Sequence, residues 1–245
     1  MAHRSDFNPV LLLEGTPGQL NELARRIRLL GAEPLSCETV DEAISHFPLG
    51  HHDSVAVVLD CSLATRALKK ELARLSLVSD AMGLFFLATG DPPGARVRRK
   101  LRQAGVQHAL WNPFDDATLR FQLNRAWNQN RDDHKRASQR IPTFLHAQVG
   151  ASQRTKDGIV YSLSLDGAFI ETARASMAGA TVELAIRLPE CAIETRGRVV
   201  FANVPGNLQR PNLPLGMAVR FEELDASTAK QLKSFVKKRI AHLEV

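Results

Sequence analysis

The chain of 245 residues has few cysteines, no long hydrophobic run and no excess of acid, and each shortage excludes a class of protein. Cys37, Cys61 and Cys191 are far apart and odd in number, so they form no disulfide framework and point to a reducing compartment. The longest apolar runs, residues 55–59 and 84–88, are strand-sized, far below the ~20 residues a membrane-crossing helix needs. The opening MAHRSDFNP has no apolar signal region, so a cytoplasmic location without membrane insertion is expected. Twelve prolines and fifteen glycines are ordinary numbers for this length, which removes collagenous and low-complexity readings. No HxxxH pair, phosphate loop or GxSxG is present, so neither a metal site nor an enzyme is expected.

Two patterns divide the chain. Residues 1–127 alternate strand-like runs with helical periodicity: strands at 10–13, 34–37, 55–59, 84–88 and 108–110, and helices at 18–30, 40–47, 69–77, 96–104 and 115–127. This fivefold βα order predicts a doubly wound parallel sheet. Residues 128–140, NQNRDDHKRASQR, are charged and amide-rich and read as a linker. Beyond them the period falls to two, as in Val182, Leu184, Ile186 and Leu188, and again in Met217, Val219 and Phe221. Residues 141–245 are therefore expected to form an antiparallel barrel of six strands closed by a helix over 229–243. Charge follows the same division: residues 1–127 hold 15 Lys and Arg against 14 Asp and Glu, whereas residues 128–245 hold 17 against 12. The basic half calls for an anionic partner.

In the first half, VLLLEGTP at residues 10–17, VAVVLD at 55–60, FFLATGD at 85–91 and WNPFD at 111–115 resemble the strands of two-component receiver domains. In that family an acidic pair holds Mg²⁺, an aspartate accepts a phosphoryl group, and a hydroxyl and a lysine complete the site. Asp60 stands at the acceptor position and Thr89 at the hydroxyl position. The acidic pair is reduced to Glu14-Gly15, and Asn112 replaces the lysine. Removing a metal ligand and a fixed cation forfeits several kcal/mol of transition-state stabilisation, about 2.7–4 for even one lost donor of this kind. The resemblance thus implies a pseudo-receiver that docks or dimerises, with Asp60 as a vestigial phosphoacceptor. The basic run RVRRKLR at 96–102 falls on its fourth helix.

In the second half, KRASQR at 135–140 contains RxxxR, and SLSLDG at 162–167 satisfies [D/N]xSxxG except at its first place, where Ser162 stands. GMAVRF at 216–221 is similar to the glycine-led closing strand of the same family. Together these resemble a PilZ domain, a small β-barrel that in many members binds the bacterial second messenger cyclic di-GMP. The resemblance implies a ligand site made by Arg136, Arg140, Ser164 and Gly167, with Lys135 and Ser162 as secondary contributors. The chemistry agrees, because guanidinium groups fork onto phosphate and guanine edges and stack on base planes. The expectation is a non-enzymatic regulator that binds cyclic di-GMP without a metal and passes the signal to a protein partner, with a homodimer through the receiver-like domain as a further expectation. Two other readings stay open: an adaptor that binds no ligand, and a response regulator phosphorylated at Asp60. No helix-turn-helix pattern is present, so no DNA output is expected.

Overall fold

Five strands, β1 (Pro9–Leu13), β2 (Glu33–Cys37), β3 (Ser54–Asp60), β4 (Gly83–Gly90) and β5 (His108–Trp111), pair in parallel in the order β2-β1-β3-β4-β5. The computed structural model describes residues 9–46, 54–78, 83–127, 138–151, 154–210, 213–222 and 224–245. Successive residues of β1 and β3 point to opposite faces, and both faces are apolar, so the central strands are buried on both sides. Leu11, Leu13, Val55, Val57 and Leu59 pack with residues of α2 (Val40–Ser45), α3 (Leu68–Val78) and α4 (Ala95–Gln103). Val10, Leu12, Ala56 and Val58 pack with α1 (Asn21–Leu29) and α5 (Asp116–Trp127). Helices thus cover both faces, as the βα alternation implies for a doubly wound sheet, and the strand order is receiver-like.

The second architecture is antiparallel. Strands β6 (Ile141–Ala151), β7 (Arg154–Leu163), β8 (Gly167–Glu171), β9 (Thr181–Arg187), β10 (Ala192–Val204) and β12 (Gly216–Phe221) run β10-β12-β8-β7-β6-β9. Pairing of β10 with β9 closes the barrel, and the two-residue β11 (Asn207–Leu208) extends β10. Phe169 is fully buried, edge-on to Tyr161 and tilted against Phe201. One strand departs from the expected alternation: Gly216 to Val219 of β12 are all buried. Ala218 lies between Phe169 and Phe201, its register partners on the two neighbouring strands, and these larger side chains flank it. The helix α6 (Ala226–Leu243) follows, capped by Asp225, whose carboxylate accepts from Ser227 N and Thr228 N at 2.9 and 3.0 Å. No helix among the described residues is long and apolar enough to cross a membrane.

The chain divides into two compact units, Met1–Lys135 with Ala241–Val245, and Arg136–Ile240. The sequence reading gives residues 141–245 to one domain, whereas the last five group with the first unit. Glu244 forms an antiparallel bridge with His108 on edge strand β5, and Val245 N donates to Gln107 O at 3.1 Å. Arg102 donates to Val245 O at 2.6 Å, and the Val245 side chain joins the core around Leu101 and Val106. A valine at the chain's last described position is buried because this edge would otherwise leave backbone groups and apolar surface uncovered.

His108 lies beneath this edge, stacked on Phe85 with ring centroids 4.6 Å apart. Burial, aided by the nearby Arg125 guanidinium, pushes its imidazole down to about 3. Between that value and the ordinary 6.5 the unfolded chain binds a proton that the folded chain does not, so stability is complete above pH 6.5 and falls as pH drops toward 3. At pH 5 the loss is about 2 kcal/mol. Denaturant melts of the chain and of His108→Phe, which keeps the stacking, should show this part of the pH dependence only in the unsubstituted protein.

Candidate functional site

In the first unit, the residues of receiver-like positions meet at the carboxyl ends of the strands. Asp60 and Thr89 are register partners across β3 and β4, and Glu14 follows β1 at the same level. All three are buried and each makes one local hydrogen bond, while Glu14 Oε1 is buried with no partner among the described residues. Asp60 accepts from Ser62 N at 2.8 Å, Thr89 donates to Leu110 O at 3.2 Å, and Glu14 Oε2 accepts from Gly18 N at 2.6 Å. Asn112, at the lysine position, donates to Asp91 at 3.4 Å. Burial raises the neighbouring Cys61 thiol, with the Asp60 charge adding to it, and burial pushes Cys37 up to about 11, so neither is an activated nucleophile. Among the described residues no group of three or more His, Cys, Asp or Glu could hold a metal ion.

In the second unit, the linker's end meets the barrel at the β6–β7–β8 corner. Lys135 and Arg136 lie outside the described residues. Arg140 immediately precedes β6 and is partly buried, and its Nη1 donates to Ser162 Oγ at 3.4 Å. Ser162, a secondary contributor in the sequence reading, is buried. The register shift in β7 between Val160 and Ser162 turns Ser162 to the face opposite Val160 and sets it beside Phe169. Thr143 holds the carbonyl of Val160 at the same place.

The next three motif positions build a turn. Ser164 N and Oγ both donate to Gly167 O, at 2.8 and 3.2 Å, and Ser164 is buried. Its hydroxyl therefore closes the β7–β8 connection, a role the ligand reading of this residue does not anticipate. Gly167 faces the backbone of β12, where a Cβ would stand 2.3 Å from Val219 O. Asp166, an unassigned position of the motif, accepts a hydrogen bond from Ser138, two residues before Arg140, and Asp166 O accepts from Phe221 N at 2.9 Å. One residue thus ties the RxxxR segment, the turn and the closing strand. Its signal in the sequence is only an acid inside a motif otherwise defined by serine and glycine.

A protein-family comparison identifies residues 134–238 with the PilZ domain. This segment is a PilZ domain. Solved structures similar to the chain include the inhibitor of motility MotI/DgrA of Bacillus subtilis, 22% identical over 44% of this chain and 51% of that one, with a TM-score of 0.38. The chain thus spans about half the length of that protein. The PilZ domain of YcgR from Escherichia coli with c-di-GMP is 16% identical over 44% of this chain and 92% of that one, at 0.35. On the other half, the chemotaxis protein CheY4 of Vibrio cholerae is 16% identical over 49% of this chain and 98% of that one, at 0.39. No curated protein matches the chain.

Within the PilZ domain the serine and glycine of the SxxG motif have distinguishable structural duties. Gly167→Ala sets a methyl group against a backbone carbonyl that has no rotamer to escape into, and should cost about 1–3 kcal/mol of barrel stability. Ser164→Ala loses one neutral hydrogen bond, about 1 kcal/mol. Urea midpoints of the two variants should fall in that order, and equal midpoints would show that β12 can retreat from Gly167.

Proposed function

We propose that this chain is a signalling regulator that binds cyclic di-GMP at the corner where the RxxxR segment meets the PilZ barrel. The observation that carries the reading is the approach of Arg140 to Ser162 within a matched PilZ segment. The second motif arginine, Arg136, lies four residues upstream on the same segment. A cyclic dinucleotide offers two phosphates and two guanines, and forked guanidinium donors suit both. Ser164 and Gly167 shape the corner against which the ligand lies, Ser162 orients Arg140, and Lys135 adds a charge toward phosphate.

Ligand binding by a segment that also joins two domains gives a route to signalling. The ligand shifts the arrangement of the domains only so far as it binds one arrangement better than another. A protein partner then distinguishes the two states, with the receiver-like domain as its docking or dimerisation module and the cytoplasm as its setting.

Calorimetric titration of cyclic di-GMP into the purified chain, beside Arg136→Ala and Arg140→Ala, tests the site. Saturable binding is expected, weakened about tenfold or more in each variant, as the loss of a bidentate contact of ~1–3 kcal/mol requires. A folded chain that takes up no cyclic dinucleotide would overturn the proposal and leave the ligand-independent adaptor.

A further inference from the structure

Two arginines outside both motifs stand opposite each other on the barrel. Arg198 of β10 and Arg220 of β12 are direct register partners in an antiparallel pair, and both are exposed. Side chains directly opposite one another lie on the same face, and like charges in that position destabilise the sheet. One pair further along, Arg196 has Glu183 on the neighbouring strand at 3.8 Å. No such acid serves Arg198 or Arg220: among the described residues neither has a hydrogen-bond or ion-pair partner.

The pair adjoins the corner described above. Arg220 is the register partner of Gly167, and the next residue, Phe221, donates to Asp166 O. Strands β7, β8, β12 and β10 are consecutive neighbours, and Arg220 stands two strand spacings across and two residues along from Ser162, about 12 Å. Arg140 reaches the corner from the β7 side, and the paired arginines flank it from the β12 side.

We infer that Arg198 and Arg220 form a second cationic clamp, which takes one phosphodiester of the bound cyclic dinucleotide while the RxxxR segment takes the other side of the ligand. The inference rests on the proposed ligand. A phosphodiester presents two non-bridging oxygens with one negative charge, the acceptor that two adjacent guanidinium forks satisfy together. The unrelieved repulsion across β10 and β12 is then removed when the ligand arrives, so the clamp is a feature of the ligand-bound barrel.

The test is titration of cyclic di-GMP into the full chain and into Arg198→Gln, Arg220→Gln, Arg220→Lys and Arg140→Ala, each at several salt concentrations. Each glutamine variant should bind about tenfold more weakly. Each should also lower the slope of log affinity against log salt by about one, as loss of a phosphate contact does, whereas Arg220→Lys should keep the slope. Urea midpoints of the glutamine variants should equal or exceed that of the unsubstituted chain, because a repulsion is removed. Unchanged binding in both glutamine variants, with binding weakened in Arg140→Ala, would overturn the clamp and leave the proposed function standing. Weakened binding accompanied by a lower midpoint would also overturn it, by assigning the pair a role in folding. No binding by the unsubstituted chain would remove the clamp and the proposed function together.

Discussion

The close approach of β12 to β8 is the constraint on which the second unit depends. Antiparallel partners sit about 4.8 Å apart, and here the glycine at each end of the pairing allows the backbones to touch where a side chain would not fit. A Cβ on Gly167 would meet Val219 O at 2.3 Å, and one on Gly216 would meet Ile170 O at 2.1 Å. Without these approaches β12 could not bridge β8 and β10, and the ring of strands that ends in the β10–β9 pairing would stay open. The turn that starts β8 is held from the other side by Ser164 and from below by the Phe221 to Asp166 hydrogen bond. Barrel closure and the shape of the candidate site are consequently one structural problem.

That coupling separates the work of the motif residues. Serine and glycine spend their polar and steric properties on backbone, and the proposed site assigns charge recognition to arginine. Arg140 is steered by a buried hydroxyl, and Asp166 ties down the segment that carries it. A site built this way has its neutral parts fixed by the fold before a ligand arrives. In the site proposed above, Arg140 and the exposed Arg198 and Arg220 supply the positive charge. Pre-ordering of the neutral shell lowers the entropic cost of binding.

The first unit has a receiver-like scaffold whose polar end is engaged with its own backbone. The two apolar faces of β1 and β3 are covered by helices on both sides, so the sheet needs nothing from its carboxyl end to be stable. At that end Asp60, Thr89 and Glu14 make hydrogen bonds to backbone groups nearby, and Asn112 faces Asp91 where a receiver domain has its cation. The opposite edge, at β5, is covered by Glu244 and Val245 and carries an imidazole that burial keeps neutral.

Periodicity alone determined the two architectures. Apolar runs long enough to be buried on both faces require helices above and below, and strict alternation requires a sheet with one face turned inward, so the doubly wound order and the barrel were both legible in the residues. The RxxxR and SxxG spacings marked the segment that matches the PilZ domain. Only the tertiary structure decided what each motif residue touches. The strand irregularity that sets Ser162 beside Phe169, the backbone in front of Gly167 and the pairing of Arg198 with Arg220 depend on register between strands distant in sequence, and a shift of one residue would turn every side chain to the other face. The final residues followed the same rule: Leu243 continues a helical stripe in the sequence, but the uncovered edge of β5 is what buries Val245 in the first unit's core. Local pattern sets which residues must be buried, and long-range pairing sets against what.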